Sequence, residues 1–113
     1  MTSSDRRRAR GGPNPHGQLH GERVQLAIAR ELDSILRDEI TDPDLDGARL
    51  LAVDLSRDGK IARCHVAIAE PRAVAARAGF SRAASFLRGR LAEALTLERT
   101  PELRFVVHPE GVT

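Results

Sequence analysis

The 113-residue sequence predicts an α+β fold, a two-layer sandwich in which two helices cover one face of a three-stranded sheet. Three observations predict it. Apolar residues recur at helical spacing in two long segments, one from Glu22 and one over residues 71–97. Two runs of apolar/polar alternation lie either side of an Asp-Gly dipeptide, the strongest short hairpin signal. A third alternating run follows the helix breaker Thr100-Pro101. The order is therefore α-β-β-α-β.

Each element has its own warrant. Residues 1–21 read as a flexible basic tail: four arginines, four glycines and two prolines leave too little apolar surface to offset the entropy of ordering. A single domain over residues 22–110 follows, with 111–113 as a short C-terminal end. In the first helix Val24, Ile28, Leu32, Ile35, Leu36 and Ile40 form one stripe, and Asp42-Pro43 ends it because Pro43 disfavours the α conformation before it. In the first strand Leu51, Val53 and Leu55 alternate with Ala52, Asp54 and Ser56. In the second, Ala62, Cys64, Val66 and Ile68 alternate with Arg63, His65 and Ala67. Phe80, Ala84, Leu87, Leu91 and Leu95 give the second helix its apolar face. Gly79 and Ser81 weaken its start, and Ala83-Ala84-Ser85 invites a kink, since serine can bond back to a preceding carbonyl. The last strand, Glu102 to His108, points Leu103, Phe105 and Val107 inward. Arriving through a long helix, it can join the sheet parallel to a neighbour.

Composition excludes several functions. No apolar run approaches a membrane span, and MTSSDRRRAR has no signal-peptide core. A lone Cys64 allows neither an internal disulfide framework nor a cysteine zinc site, and its strand position makes it a core residue. Three Phe with no Tyr or Trp argue against a base-stacking nucleic-acid platform. His16 and His20 lie in a Gly/Pro-rich stretch. Cys64 and His65 point to opposite faces of a strand, which leaves His65 solvated, and His108 at a strand end carries no signal. Asp42, Asp44 and Asp46 look like a piece of a calcium loop, but position 53 is Val where the loop needs Glu, so a polar turn is the simpler reading. With no P-loop, GxGxxG or GxSxG either, no metal, cofactor or catalytic residue is expected, and the chain does not read as an enzyme.

Charge is where the sequence speaks. Residues 1–21 carry a net +3, residues 22–58 a net −5 and residues 59–113 a net +4. No acid stands between Glu70 and Glu93, while Arg72, Arg77, Arg82, Arg88 and Arg90 do. Such a sign change points to a polyanion for the basic half, with a solvated helix face as the plain alternative. The candidate contacts are Arg77, Arg82, Arg88 and Arg90, then Arg63 and Arg104 on the outward sheet face; an internal pair with an acid such as Glu93 is the alternative for Arg88. An adaptor that binds protein through the acidic first helix or the sheet face is the competing function.

The α-β-β-α-β order also fits a type II KH arrangement, yet no two glycines lie three apart, so the GxxG loop is absent. RVQLAIARELDSILRDEITDP, LSRDGKIARCHVAI, SFLRGRLAEALTL and TPELRFVVH, in that order over residues 23–108, resemble ribosome-binding factor A. The resemblance implies a type II KH-like fold with an Ala-x-Gly kink in place of GxxG, here Ala83, Ala84 and Ser85. It implies a cytoplasmic, monomeric, non-catalytic factor that binds the immature 30S ribosomal subunit and its 16S rRNA and assists late assembly and rRNA end processing. Small-subunit ribosomal proteins are the further partners. A helix restarting near Ser85 would offer amide donors to a phosphate.

Overall fold

The structure, a computed structural model, describes residues 15–111. Helix α1 spans Pro15–Asp38, strand β1 Arg49–Leu55, strand β2 Ile61–Ala69, helix α2 Ala73–Ala94 and strand β3 Glu102–Glu110. The expected tail thus falls in two parts: residues 1–14 lie outside the described residues, and the helix begins at Pro15 rather than Glu22. Proline suits a first helical position because its fixed φ is already helical and its missing N–H needs no partner there. Gly17 and Gly21 lower helix propensity by only about 1 kcal/mol each, which does not stop a 24-residue helix. No helix among the described residues is long and apolar enough to cross a membrane.

The stripe on α1 is as the spacing predicts: Ile28, Leu32 and Ile35 are fully buried, with Val24, Leu36 and Ile40 packed around them. The helix ends at Asp38, before Pro43. Pro43 instead opens a 3-10 turn over Pro43–Leu45, capped by the Asp42 carboxylate, which accepts from the Asp44 N–H at 2.9 Å. That turn drives Leu45 into the core.

β1 and β2 pair antiparallel across Asp58-Gly59, where Gly59 takes φ +76° and the Asp58 carboxylate accepts from the Lys60 N–H and the Ser56 hydroxyl. The register skips Leu51, because Leu50 pairs with Val66 and Ala52 with His65. This bulge corrects the expected alternation: Leu50, not Leu51, joins Val53 and Leu55 against the helices, and Leu51 is left 50% exposed. β3 adds parallel to β2, so the sheet order is β1-β2-β3 with β2 central. Ala62, Cys64, Val66 and Ile68 form the buried middle of the sheet, flanked by Leu103 and Val107.

α2 runs uninterrupted through Ala83, Ala84 and Ser85, so the expected kink does not divide it and no second helix N-terminus opens at Ser85. Alanine is the strongest helix former and a single serine costs little, so nothing there breaks the ladder. Phe80, Leu87 and Leu91 are buried, and Phe80 stacks on Phe105 with ring centroids 4.5 Å apart. Gly79 has a specific purpose: a Cβ there would stand 2.8 Å from Leu45 Cδ2 and 3.1 Å from Asp44 Cβ. Gly89 on the same helix faces open space. The same substitution therefore has opposite signs at the two sites. Gly89→Ala is expected to stabilise by about 0.5–1 kcal/mol. Gly79→Ala is expected to destabilise by about 1 kcal/mol, crowding of about 1–3 kcal/mol outweighing the helix gain. Urea unfolding midpoints read both, and equal shifts of one sign would contradict the packing of α2 on the Pro43 turn.

Candidate nucleic-acid interface

α2 does not present its arginines as one patch. Each residue advances the helix by about 100°, so Arg77 and Arg88, eleven apart, share one flank, and Arg82 and Arg90, eight apart, share another. The two flanks meet different neighbours, and that decides their chemistry.

The Arg82–Arg90 flank faces the acidic segment after α1. Arg82 Nη2 donates to Asp44 at 2.8 Å and Asp42 at 3.2 Å. Arg90 grips Glu39 with two bonds of 2.8 and 2.9 Å and Glu93 with one of 2.6 Å. The hydrogen bonds to Asp44 and Asp42 raise the Arg82 pKa, and those to Glu39 and then Glu93 raise that of Arg90. Glu93, the alternative partner considered for Arg88, belongs to Arg90. These two arginines are tied internally, joining α2 to the segment between α1 and β1. This corrects the picture of a single open patch. Asp44, Asp42 and Glu39 lie 38, 40 and 51 positions from their arginines in sequence, where no periodicity could reveal them.

The other flank faces β3. Arg77, Phe80, Ser81, Ala84, Leu103, Arg104, Phe105 and Val107 line one groove of about 320 Å³ between α2 and the edge strand. Its floor is apolar and its rim carries Arg77 and Arg104. Among the described residues no carboxylate pairs with Arg77, while Arg104 donates to Glu102 at 2.9 Å. Arg88 donates through Nε and Nη2 to the Thr100 carbonyl at 3.2 and 2.8 Å. A neutral acceptor holds that guanidinium in place without cancelling its charge. Arg63 stands on the open sheet face between Asp54 and Arg104 in register, away from the α2 flank. The structure therefore places Arg77 and Arg104 on the lining of one groove, Arg88 farther along the same helix flank at Thr100, and Arg63 beside Arg104 in the sheet, and it sets Arg82 and Arg90 apart. Sequence reasoning missed Ser81 and the Phe105 floor, although Ser81 lies one helical turn from Arg77.

The remaining candidates find ordinary roles. Cys64 is fully buried, and burial pushes its thiol up to about 12, so it stays protonated at neutral pH. His65, expected to be solvated, bridges Asp54 Oδ2 at 3.0 Å and His108 Nε2 at 2.9 Å across the open sheet face. Asp42 and Asp44 serve the turn and Arg82.

Three carboxyls sit below their usual range. Glu39 is lowered chiefly by its hydrogen bond from Arg90, Asp42 by the Asp44 N–H and then Arg82, and Asp58 by the Lys60 N–H and the Ser56 hydroxyl. A depressed folded-state pKa contributes stability that is fully present above the ordinary carboxylate range, near pH 4, and lost as pH falls through the folded value. Thermal unfolding followed by circular dichroism is expected to hold steady from pH 7 to about 5 and decline below about 4.5. Glu39→Gln should flatten part of that acid limb. A midpoint that rises on acidification would contradict these pairings.

Comparison with known proteins agrees with this architecture. A family model described as ribosome-binding factor A matches residues 20–110. The chain is 33% identical over 87 residues to ribosome-binding factor A of Halorhodospira halophila, covering 74% of this chain and 69% of that one. It is 35% identical over 97 residues to that of Maricaulis maris, covering 83% and 67%. The crystal structure of ribosome-binding factor A from Thermus thermophilus superposes with a TM-score of 0.68 at 27% identity, over 77% of this chain and 93% of that chain. A homology model of the T. thermophilus factor, fitted into a cryo-EM map of its complex with the 30S subunit, gives 0.61 at 28% identity, over 74% and 90%. The two-layer type II KH-like arrangement is common to them.

Proposed function

Because the chain belongs to the ribosome-binding factor A family, we propose that it binds the immature 30S ribosomal subunit through its 16S rRNA and assists late assembly and rRNA end processing. It acts in the cytoplasm as a monomer, with small-subunit ribosomal proteins as secondary contacts, and makes or breaks no bond itself. The observation that carries this reading is the groove between α2 and β3. Its apolar floor is rimmed by Arg77 and Arg104, and Arg88 lies along the same helix flank with its charge uncompensated. The Thermus relative fitted into a 30S complex supports the choice of partner.

The physics follows from phosphate contact. Each arginine that meets a phosphate releases condensed counterions, so affinity falls linearly in log salt, with a slope of about 0.7–0.9 per contact. A rigid basic groove gives moderate, salt-sensitive binding, which suits a factor that must leave when assembly ends. The adaptor reading loses part of its acidic surface, since Glu39, Asp42 and Asp44 after α1 are already committed to Arg90 and Arg82. Cosedimentation with purified 30S subunits at two salt concentrations tests the proposal. Association that weakens with salt is expected, and salt-independent or absent association counts against it.

A further inference from the structure

Of the three phenylalanines, Phe80 and Phe105 stack in the core, whereas Phe86 is 52% exposed. It falls outside the apolar stripe of α2 and sits four residues after Arg82 and four before Arg90. The three side chains thus form one row along about 12 Å of helix at 1.5 Å per residue. The exposed neighbours Ser85 and Gly89 are small, and a Cβ at Gly89 would meet nothing within 4 Å, so one side of the ring is open to a flat partner. The flanking arginines keep donors in reserve. Arg82 uses one guanidinium nitrogen for both of its carboxylates, and Arg90 makes three bonds. An arginine has five N–H groups to give.

We propose that Phe86 is a stacking site for one unpaired nucleobase of the RNA partner, with the unused N–H groups of Arg82 and Arg90 offered to neutral acceptors on the base edge or sugar. This rests on the RNA-binding reading above but uses a different helix flank from the groove. The scarcity of aromatic residues excludes an extended stacking platform; a single exposed ring between two ion-paired arginines with donors to spare makes a single-base site. An apolar protein contact is the less favoured occupant, because the surroundings of Phe86 are Arg82, Ser85, Gly89 and Arg90 rather than further exposed apolar side chains.

The chain has no Trp and no Tyr, so Phe86→Trp makes the sole indole of the protein and a direct reporter. Its emission is expected to be quenched when 30S subunits or single-stranded poly(A) are added. Phe86→Ala should weaken 30S binding by about tenfold at fixed salt, the worth of one stacked base, while leaving the salt slope and the unfolding midpoint unchanged. Undiminished 30S binding by Phe86→Ala, where the unaltered chain binds, overturns this inference alone. A blue-shifted, unquenched indole together with full binding by Phe86→Leu overturns it in favour of an apolar protein contact. Failure of the unaltered chain to bind 30S subunits removes the reading on which it rests.

Discussion

Phe80→Ala is expected to cost about 3–5 kcal/mol of folding stability, the usual penalty for emptying a buried aromatic site. The ring is 1% exposed, stacks on Phe105 at 4.5 Å and lies in one cluster with Leu87, Leu91 and Leu103. With Leu87 and Leu91 this ring packs α2 onto the sheet, and the same ring lines the groove. A small domain has only about 5–15 kcal/mol in hand, so the variant should approach unfolding at physiological temperature. Urea denaturation gives the number directly. Phe86→Ala, six residues further on and half exposed, should change stability by no more than about 0.5 kcal/mol. Comparable losses at the two positions would mean that α2 is rotated from the orientation described.

The largest expected effect on binding comes from Arg77→Ala combined with Arg104→Ala. If each arginine meets one phosphate, removing both at 0.1 M salt should weaken 30S association by about 25- to 60-fold, from a slope of about 0.7–0.9 per contact over a tenfold range of salt. Stability should hardly change. Arg77 has no carboxylate partner among the described residues, and the Arg104–Glu102 pair is exposed. Arg82→Ala with Arg90→Ala is a different experiment, since it also cuts the ties from α2 to Asp42, Asp44 and Glu39.

Much of this fold was legible because it is written in local periodicity. The Val24–Ile28–Leu32–Ile35 stripe, the Asp58-Gly59 hairpin and the Leu103–Phe105–Val107 alternation each follow from neighbours within a few residues, and they came out in place. The misses depend on distant contacts. Leu51 is displaced by a bulge that only the pairing with β2 defines. Gly79, read as a helix weakness, is the point where Leu45 crosses α2. Apart from Glu93, three residues after Arg90, the acids that Arg82 and Arg90 meet are 38 to 51 positions away, a separation that no window of the sequence spans. One signal was available: counting 100° per residue separates Arg77 and Arg88 from Arg82 and Arg90 before any coordinates are known. The same count places Phe86 outside the apolar stripe.

The salt dependence of 30S binding, compared between the unaltered chain and the Arg77→Ala, Arg104→Ala variant, tests the role of the groove most directly. The two log–log plots should both be linear, with the variant's slope shallower by about 1.4–1.8. Parallel plots of equal slope would mean that neither guanidinium meets a phosphate, and the groove between α2 and β3 would not be the RNA-binding surface.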